Sequence, residues 1–394
     1  LALNLESVLH VTSPLTVLLT LKGRERFTLR FLWHANLAKL PYHFLLADGE
    51  VNPELARLLD NAKELFPSLD IEYVRYPDDV DYRAYYKKIL DAIGRVRTPY
   101  VVMADNDDFL IASGIDRSIE FLDAHPEYIC CGGGLGGLSV YSASDDTQLT
   151  GMLNRLAYRY TIFDRSEDYS SSSVTERLQR GSRNWWSYYA VFRTPALATI
   201  WREAVEIDFS DLQLLEFFCA MRTLTLGKAR SDGSTIAYLR QYGTSQRTSL
   251  KEDWVHHLLR SRFTSDFSAM VDRISQLAGA ADKVDPAIVA EQLRAICENW
   301  LRDFLRVYYG SLQTLKQWMR DHTPRLMHWL KNRRRYSVKR ERSAFSRQLA
   351  QDGASSAYIT IFERELAAVE ETISGRDFVN FIQPHLPALI AHER

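Results

Sequence analysis

The chain has little that would anchor it, cross-link it or give it charge of one sign. Only four of its 394 residues are cysteine. Cys130, Cys131, Cys219 and Cys297 show none of the paired C-x-x-C spacing of a zinc site, so they read as buried small hydrophobes. Long apolar runs are also missing. Thr16 to Leu21 and Tyr100 to Ala104 are the longest, far short of the roughly 20 residues a bilayer-spanning helix needs, and no signal-peptide pattern opens the sequence. A cytoplasmic location is therefore expected. Net charge is absent too: 49 Lys and Arg face 50 Asp and Glu, for a formal charge of -1. Global attraction to nucleic acid is excluded, and a basic partner site has to be local. There is no internal repeat and no heptad run long enough for a coiled coil.

What is present is an ordinary globular composition, 46% hydrophobic and 25% charged, in a 45.5 kDa chain. That size exceeds a usual single core and points to two units, 1–249 and 250–394. Up to about residue 130, short β-rich apolar runs alternate with helical patterns, the signature of βα units on a mostly parallel sheet. The runs predict strands over 15–20, 43–47, 70–75 and 99–104. Leu29, Leu32 and Trp33 give Arg24 to Asn36 one apolar face; Tyr86, Ile89, Leu90 and Ile93 do the same for Tyr82 to Arg95. Each strand but the third ends in a polar loop: Lys22-Gly23-Arg24, Asp48-Gly49-Glu50, and Asp105-Asn106-Asp107-Asp108. In open parallel sheets, ligands bind where such loops converge.

Residues 139–182 are polar and poorly periodic, which predicts a lid, with Gly132 to Gly137 as its hinge. The aromatic run Asn184 to Phe192 reads as a strand. Helical patterns over 195–206 and 211–226 and a strand over Ile236 to Leu239 follow, and beyond residue 250 the pattern is helical almost throughout. Lys331 to Arg342 concentrates positive charge, suited either to an anionic membrane surface or to a solvated helix face.

The apolar run Tyr100 to Ala104 delivers three carboxylates at its end. Such a group repels itself unless a cation intervenes, and hard oxygen ligands suit Mg²⁺ or Mn²⁺ completed by substrate phosphates. The competing reading is a solvated turn in which Asp107 or Asp108 caps the next segment.

The order Thr16 to Arg24, then Leu45-Leu46-Ala47-Asp48-Gly49, then the Asp105 cluster resembles the GT-A glycosyltransferases, above all their family-2-like group and its bacterial surface-polysaccharide branch. The likeness covers about residues 14–243. It implies an α/β, Rossmann-like mixed sheet with helices on both faces, split into a donor half (14–138) and an acceptor half (139–249) and followed by a helical C-terminal region. It implies a nucleotide-diphosphate sugar donor, UDP-linked, and a Mn²⁺ or Mg²⁺ ion. Residue by residue, Asp48 would meet the base, Asp105 the ribose and the metal, and Asp107 the metal; Thr20, Lys22 and Lys88 would lie along the nucleotide. Asp211 would be the base that deprotonates the acceptor, with Glu216 its competitor. Where the group carries a metal-binding histidine, this chain has Tyr238-Leu239-Arg240, and Arg240 would neutralise the leaving diphosphate instead. Asn184, Trp185 and Trp186 would bind a glycan or lipid-linked acceptor, with 331–342 at the inner face of the cytoplasmic membrane. Two rivals share this frame: a sugar-nucleotide pyrophosphorylase and a non-catalytic carbohydrate-binding scaffold.

Overall fold

The computed structural model describes residues 13–49, 52–141, 157–162, 166–181, 184–241, 261–309, 322–323 and 338–391. Its amino-terminal part alternates strand and helix: β1 (Leu15–Leu21), α1 (Glu25–Leu37), β2 (His43–Asp48), α2 (Pro53–Asp60), α3 (Ala62–Leu65), β3 (Asp70–Arg75), α4 (Tyr82–Arg95) and β4 (Tyr100–Ala104). β1 and β4 are buried almost throughout because helices cover both sides of the sheet, as parallel strands require. The helices start where side chains satisfy their free N–H groups. Asn52 accepts from the amides of Glu54 and Leu55 ahead of Pro53, and Asp81 accepts from that of Ala84.

β5 (Phe109–Leu110), α5 (Ala112–Ala124), β6 (Tyr128–Tyr141), β7 (Ala157–Ile162), β8 (Glu167–Tyr169), α6 (Val174–Arg180), β9 (Val191–Arg193), α7 (Thr194–Ile207), α8 (Leu212–Leu226) and β10 (Lys228–Gln241) complete the sheet. The strand order is β3-β2-β1-β4-β9-β6-β10-β5, with β7 on β6 and β8 on β10. β3 to β4 run parallel, and the short β9 lies antiparallel between β4 and β6. This is the mixed α/β sheet with helices on both faces that the resemblance implied, followed by a helical C-terminal region.

Two expectations are corrected. Residues 139–182 are not one lid: β6 runs on to Tyr141, and β7, β8 and α6 occupy its other described parts. The glycines of β6 are packing devices rather than a hinge, since a Cβ on Gly133 would sit 2.6 Å from the Ala237 amide and one on Gly136 2.8 Å from the Leu239 side chain. The run from Asn184 is also no strand at first. Asn184–Tyr189 forms a 3₁₀ turn, and only Val191–Arg193 joins the sheet.

The C-terminal helices are α9 (Phe263–Asp282), α10 (Pro286–Tyr309), α11 (Val338–Gln351), α12 (Ser356–Ser374), α13 (Arg376–Ile382) and α14 (Leu386–Ala391). Met270, Val271 and Ile274 of α9 share one core with Trp201 and Phe218. Phe362, Leu366 and Val369 of α12 share another with Phe109, Ile236 and Leu239. Among the described residues, no helix is long and apolar enough to cross a membrane.

Candidate functional site

The carboxyl ends of β1 and β4 open on a cleft of about 830 Å³. Thr20, Lys22 and Arg24 come from the loop after β1, and Asp105, Asn106 and Asp107 from the loop after β4. One face of α8 supplies the helical wall, with Leu212, Glu216 and Ala220 spaced four apart, and β10 contributes Arg240.

Asp105, Asp107 and Asp108 gather oxygens within 4.8 Å of one another. Their backbone is held from below. The buried Arg30 donates to the Asp107 carbonyl at 2.6 Å and to Gln241 Oε1 at 2.7 Å, while the Gln241 amide donates to Asp108 Oδ1 at 2.7 Å. Burial lowers Arg30 to about 9 even with Asp107 and Asp108 nearby, yet it remains a cation at neutral pH. Tyr238 accepts from the Asp105 amide at 3.0 Å, and Tyr189, stacked on Tyr238, donates to Asp105 Oδ2 at 2.9 Å. Burial, then Asp107, raises Asp105; burial, then Asp107 and Asp105, pushes Asp108 well above the carboxylate range. Carboxyls that resist ionising together have room for added positive charge. The cluster fits a divalent cation on this ground: three hard oxygen donors converge, and two are held high by burial and then by their neighbours' charge.

Arg240 lies with its guanidinium 5.9 Å from the Tyr189 ring centre. Burial, followed by Tyr85, Asp105 and Glu216 for Tyr188 and by Asp105 for Tyr189, keeps both tyrosines protonated donors. Glu216 accepts from Gln213 Nε2 at 2.8 Å. Its place on the cleft wall follows from the helical period, one turn beyond the cap.

Asp211 is that cap. It is 0% exposed and accepts from the amides of Gln213 at 2.8 Å and Leu214 at 3.2 Å. The expectation that Asp211 faces the acceptor is therefore corrected, and Glu216 takes the cleft position. Asp48 and Lys88 are not on the cleft wall either. Asp48 accepts from the Tyr73 hydroxyl at 2.6 Å, and Lys88 donates to Leu21 O at 2.9 Å and to Asp79 Oδ2 at 2.6 Å. Trp186, expected against the acceptor, is buried and stacks parallel to Tyr169 at 6.4 Å. The side chains of Asn184 and Trp185 lie outside the described residues, as does the basic run from 331 to 337. At the end of that run Arg342 pairs with Glu370.

Sequence reasoning passed over two members of the site. Arg24 forms an ion pair with Asp107 at 2.6 Å; its only signal was a basic residue directly after Gly23. Tyr189 lies within the aromatic run, and nothing in the local pattern pairs it with a strand end 84 residues earlier.

No protein-family model and no curated protein matches this sequence. Among solved structures, S. aureus TarS 1–349 in complex with UDP-GlcNAc superposes with a TM-score of 0.46 at 10% identity, covering 91% of this chain and 89% of that one. The mannosyltransferase PcManGT from Pyrobaculum calidifontis, in complex with GDP-Man and Mn²⁺, superposes with a TM-score of 0.38 at 11% identity, covering 92% and 87%. Against a longer S. aureus TarS chain the TM-score is 0.44 at 11% identity, and the match covers 91% of this chain but spans only about half, 54%, of that one. Likeness at this level carries no weight for activity, which has to be read from the side chains.

Proposed function

We propose that the chain is a glycosyltransferase of the GT-A type, family-2-like, that moves a sugar from a nucleotide-diphosphate donor to an acceptor hydroxyl. One observation carries the reading: the Asp105, Asp107 and Asp108 oxygens converge within 4.8 Å at a cleft whose helical wall presents Glu216. Asp105 and Asp107, with Asp108 behind them, would hold Mn²⁺ or Mg²⁺. When bound, that ion supplies charge neutralisation for the donor's phosphates.

The chain's own groups account for the remaining chemistry. Glu216 accepts the proton of the acceptor hydroxyl as its oxygen forms the new bond to the anomeric carbon. The bond from that carbon to the diphosphate breaks, and its electron pair leaves on the diphosphate oxygen, where Arg240 and Lys22 offer positive charge. A single displacement of this kind inverts the anomeric centre. We assign the donor half to 14–138, the acceptor half to 139–249 and a helical region to 250–394. UDP-linked donors, a glycan, lipid-linked or protein acceptor in surface-polysaccharide synthesis and a cytoplasmic location complete the reading.

Glu216→Gln is the test, because the amide keeps the shape and cannot take the proton. Transfer from a nucleotide sugar should fall about 10²- to 10⁴-fold, while donor affinity measured by calorimetry stays at the wild-type value. Unchanged turnover would remove Glu216 from the mechanism. Pyrophosphate release from a nucleoside triphosphate would favour a pyrophosphorylase.

A further inference from the structure

Arg24 has a backbone conformation that its side chain does not favour. Its φ is 60° and ψ 41°, directly after Gly23 at φ 65°, in the left-handed region where a long side chain is uncommon. The turn is fixed in place: the Arg24 carbonyl accepts from the Phe27 amide at 2.9 Å, the Thr28 amide at 3.3 Å and Asn106 Nδ2 at 3.3 Å. Backbone strain of this kind persists where surrounding structure over-determines it, and it clusters at working sites. Its product here is a guanidinium set on the cleft wall, 2.6 Å from Asp107 Oδ2. The Phe27 ring supports that guanidinium at 4.8 Å and carries Arg30 at the same distance.

We propose that Arg24 is a resident counter-ion on Asp107 which the donor's diphosphate draws away, so that nucleotide and divalent cation enter the site as a coupled pair. The inference rests on the glycosyltransferase reading and names a regulatory feature of the same site. The Asp107 carboxylate paired with the guanidinium is one of the three whose oxygens converge, so a cation there competes with Arg24. Guanidinium matches phosphate in bidentate geometry, and the Phe27 face remains beneath it when the carboxylate is released. Arg30 stays on the Asp107 carbonyl, so the loop keeps its place while its carboxylate changes partner. Linkage then makes the effect reciprocal: whatever diphosphate does for cation affinity, the cation does for diphosphate.

The experiment is calorimetric titration of Mn²⁺ alone, of UDP or GDP alone, and of each in the presence of the other, on the wild type and Arg24→Gly. Glycine adopts the left-handed turn without strain, and Arg24→Asn, which also tolerates it, guards against a folding defect. The wild type should bind Mn²⁺ at least about tenfold more tightly with the nucleotide present, within the usual range of coupling between sites. Both variants should bind Mn²⁺ alone more tightly than the wild type, bind nucleotide alone more weakly, and show a smaller coupling. If the wild type shows coupled binding and the variants leave Mn²⁺-alone affinity equal or weaker, the counter-ion role is overturned and the glycosyltransferase reading survives. If the wild type binds neither Mn²⁺ nor nucleotide, both fall together.

Discussion

Two sets of buried acids sit at the same edge of the sheet and are put to opposite use. After β2 and β3, Asp48 and Asp79 have dedicated partners: the Tyr73 hydroxyl on Asp48, and the buried Lys88 ammonium on Asp79 at 2.6 Å. A Cβ on Gly49 would meet Asp79 Oδ2 at 2.0 Å, so glycine is what lets that pair close. After β4, Asp105, Asp107 and Asp108 crowd one another, and burial first, then that crowding, raises Asp105 and Asp108. The first set lies off the cleft lining with its partners made, whereas Asp105 and Asp107 of the second line the cleft. Position at a strand end therefore does not make a carboxylate functional. What separates the two is whether the carboxylates are spent on partners away from the cleft or gather their oxygens at it.

The largest effect should come from spoiling the matched set. Lys88→Met leaves the Asp79 carboxylate buried without its ammonium, and breaking such a pair costs about 3–5 kcal/mol. Urea unfolding would read this as a lower midpoint at unchanged slope, and Asp79→Leu added to Lys88→Met should recover most of the loss. A wild-type midpoint for Lys88→Met would erase the distinction between the two sets.

A smaller effect of opposite sign is expected at the crowded set. Asp108→Asn keeps an oxygen for the Gln241 amide and removes one repelling charge, so metal-free stability at neutral pH should hold or rise. The pH dependence sharpens this. Burial, then Asp107 and Asp105, holds Asp108 well above 3.8, so between 3.8 and that raised value the folded chain binds a proton the unfolded chain lacks. Wild-type stability should therefore gain on Asp108→Asn as pH falls through that window. Thermal melts in chelator from neutral to acid pH would show it as converging curves.

The parallel half of the fold was legible because alternation and helical period agree with each other there. β3 and α4 fall on the expected residues, β1, β2 and β4 differ by one residue at an end, and α1 is shifted by one residue. Legibility failed where tertiary contacts override local pattern. The aromatics from Asn184 have strand propensity, yet they close a 3₁₀ turn because Trp186 has a slot beside Tyr169 and Gly132. The acidic cluster was readable from its spacing. Its relation to Arg24, Tyr189 and Arg240 was not, because those contacts depend on how the β1 loop, the 3₁₀ turn and β10 meet. Asp211 illustrates the remaining ambiguity: a capping aspartate and a cleft carboxylate look alike in sequence, and only the burial of Asp211 and the helical offset of Glu216 separate them.

The central claim is that the acid cluster at the end of β4 binds a cation and a diphosphate together. Thermal unfolding of the wild type and Asp107→Asn with Mn²⁺ and a panel of nucleotide sugars tests it directly. At about 100-fold excess over Kd, a bound ligand adds roughly 2.7 kcal/mol, so the wild-type Tm should rise with one nucleotide sugar in the presence of Mn²⁺, and the Asp107→Asn Tm should not. An equal rise in both proteins would place the ligand elsewhere and contradict the account.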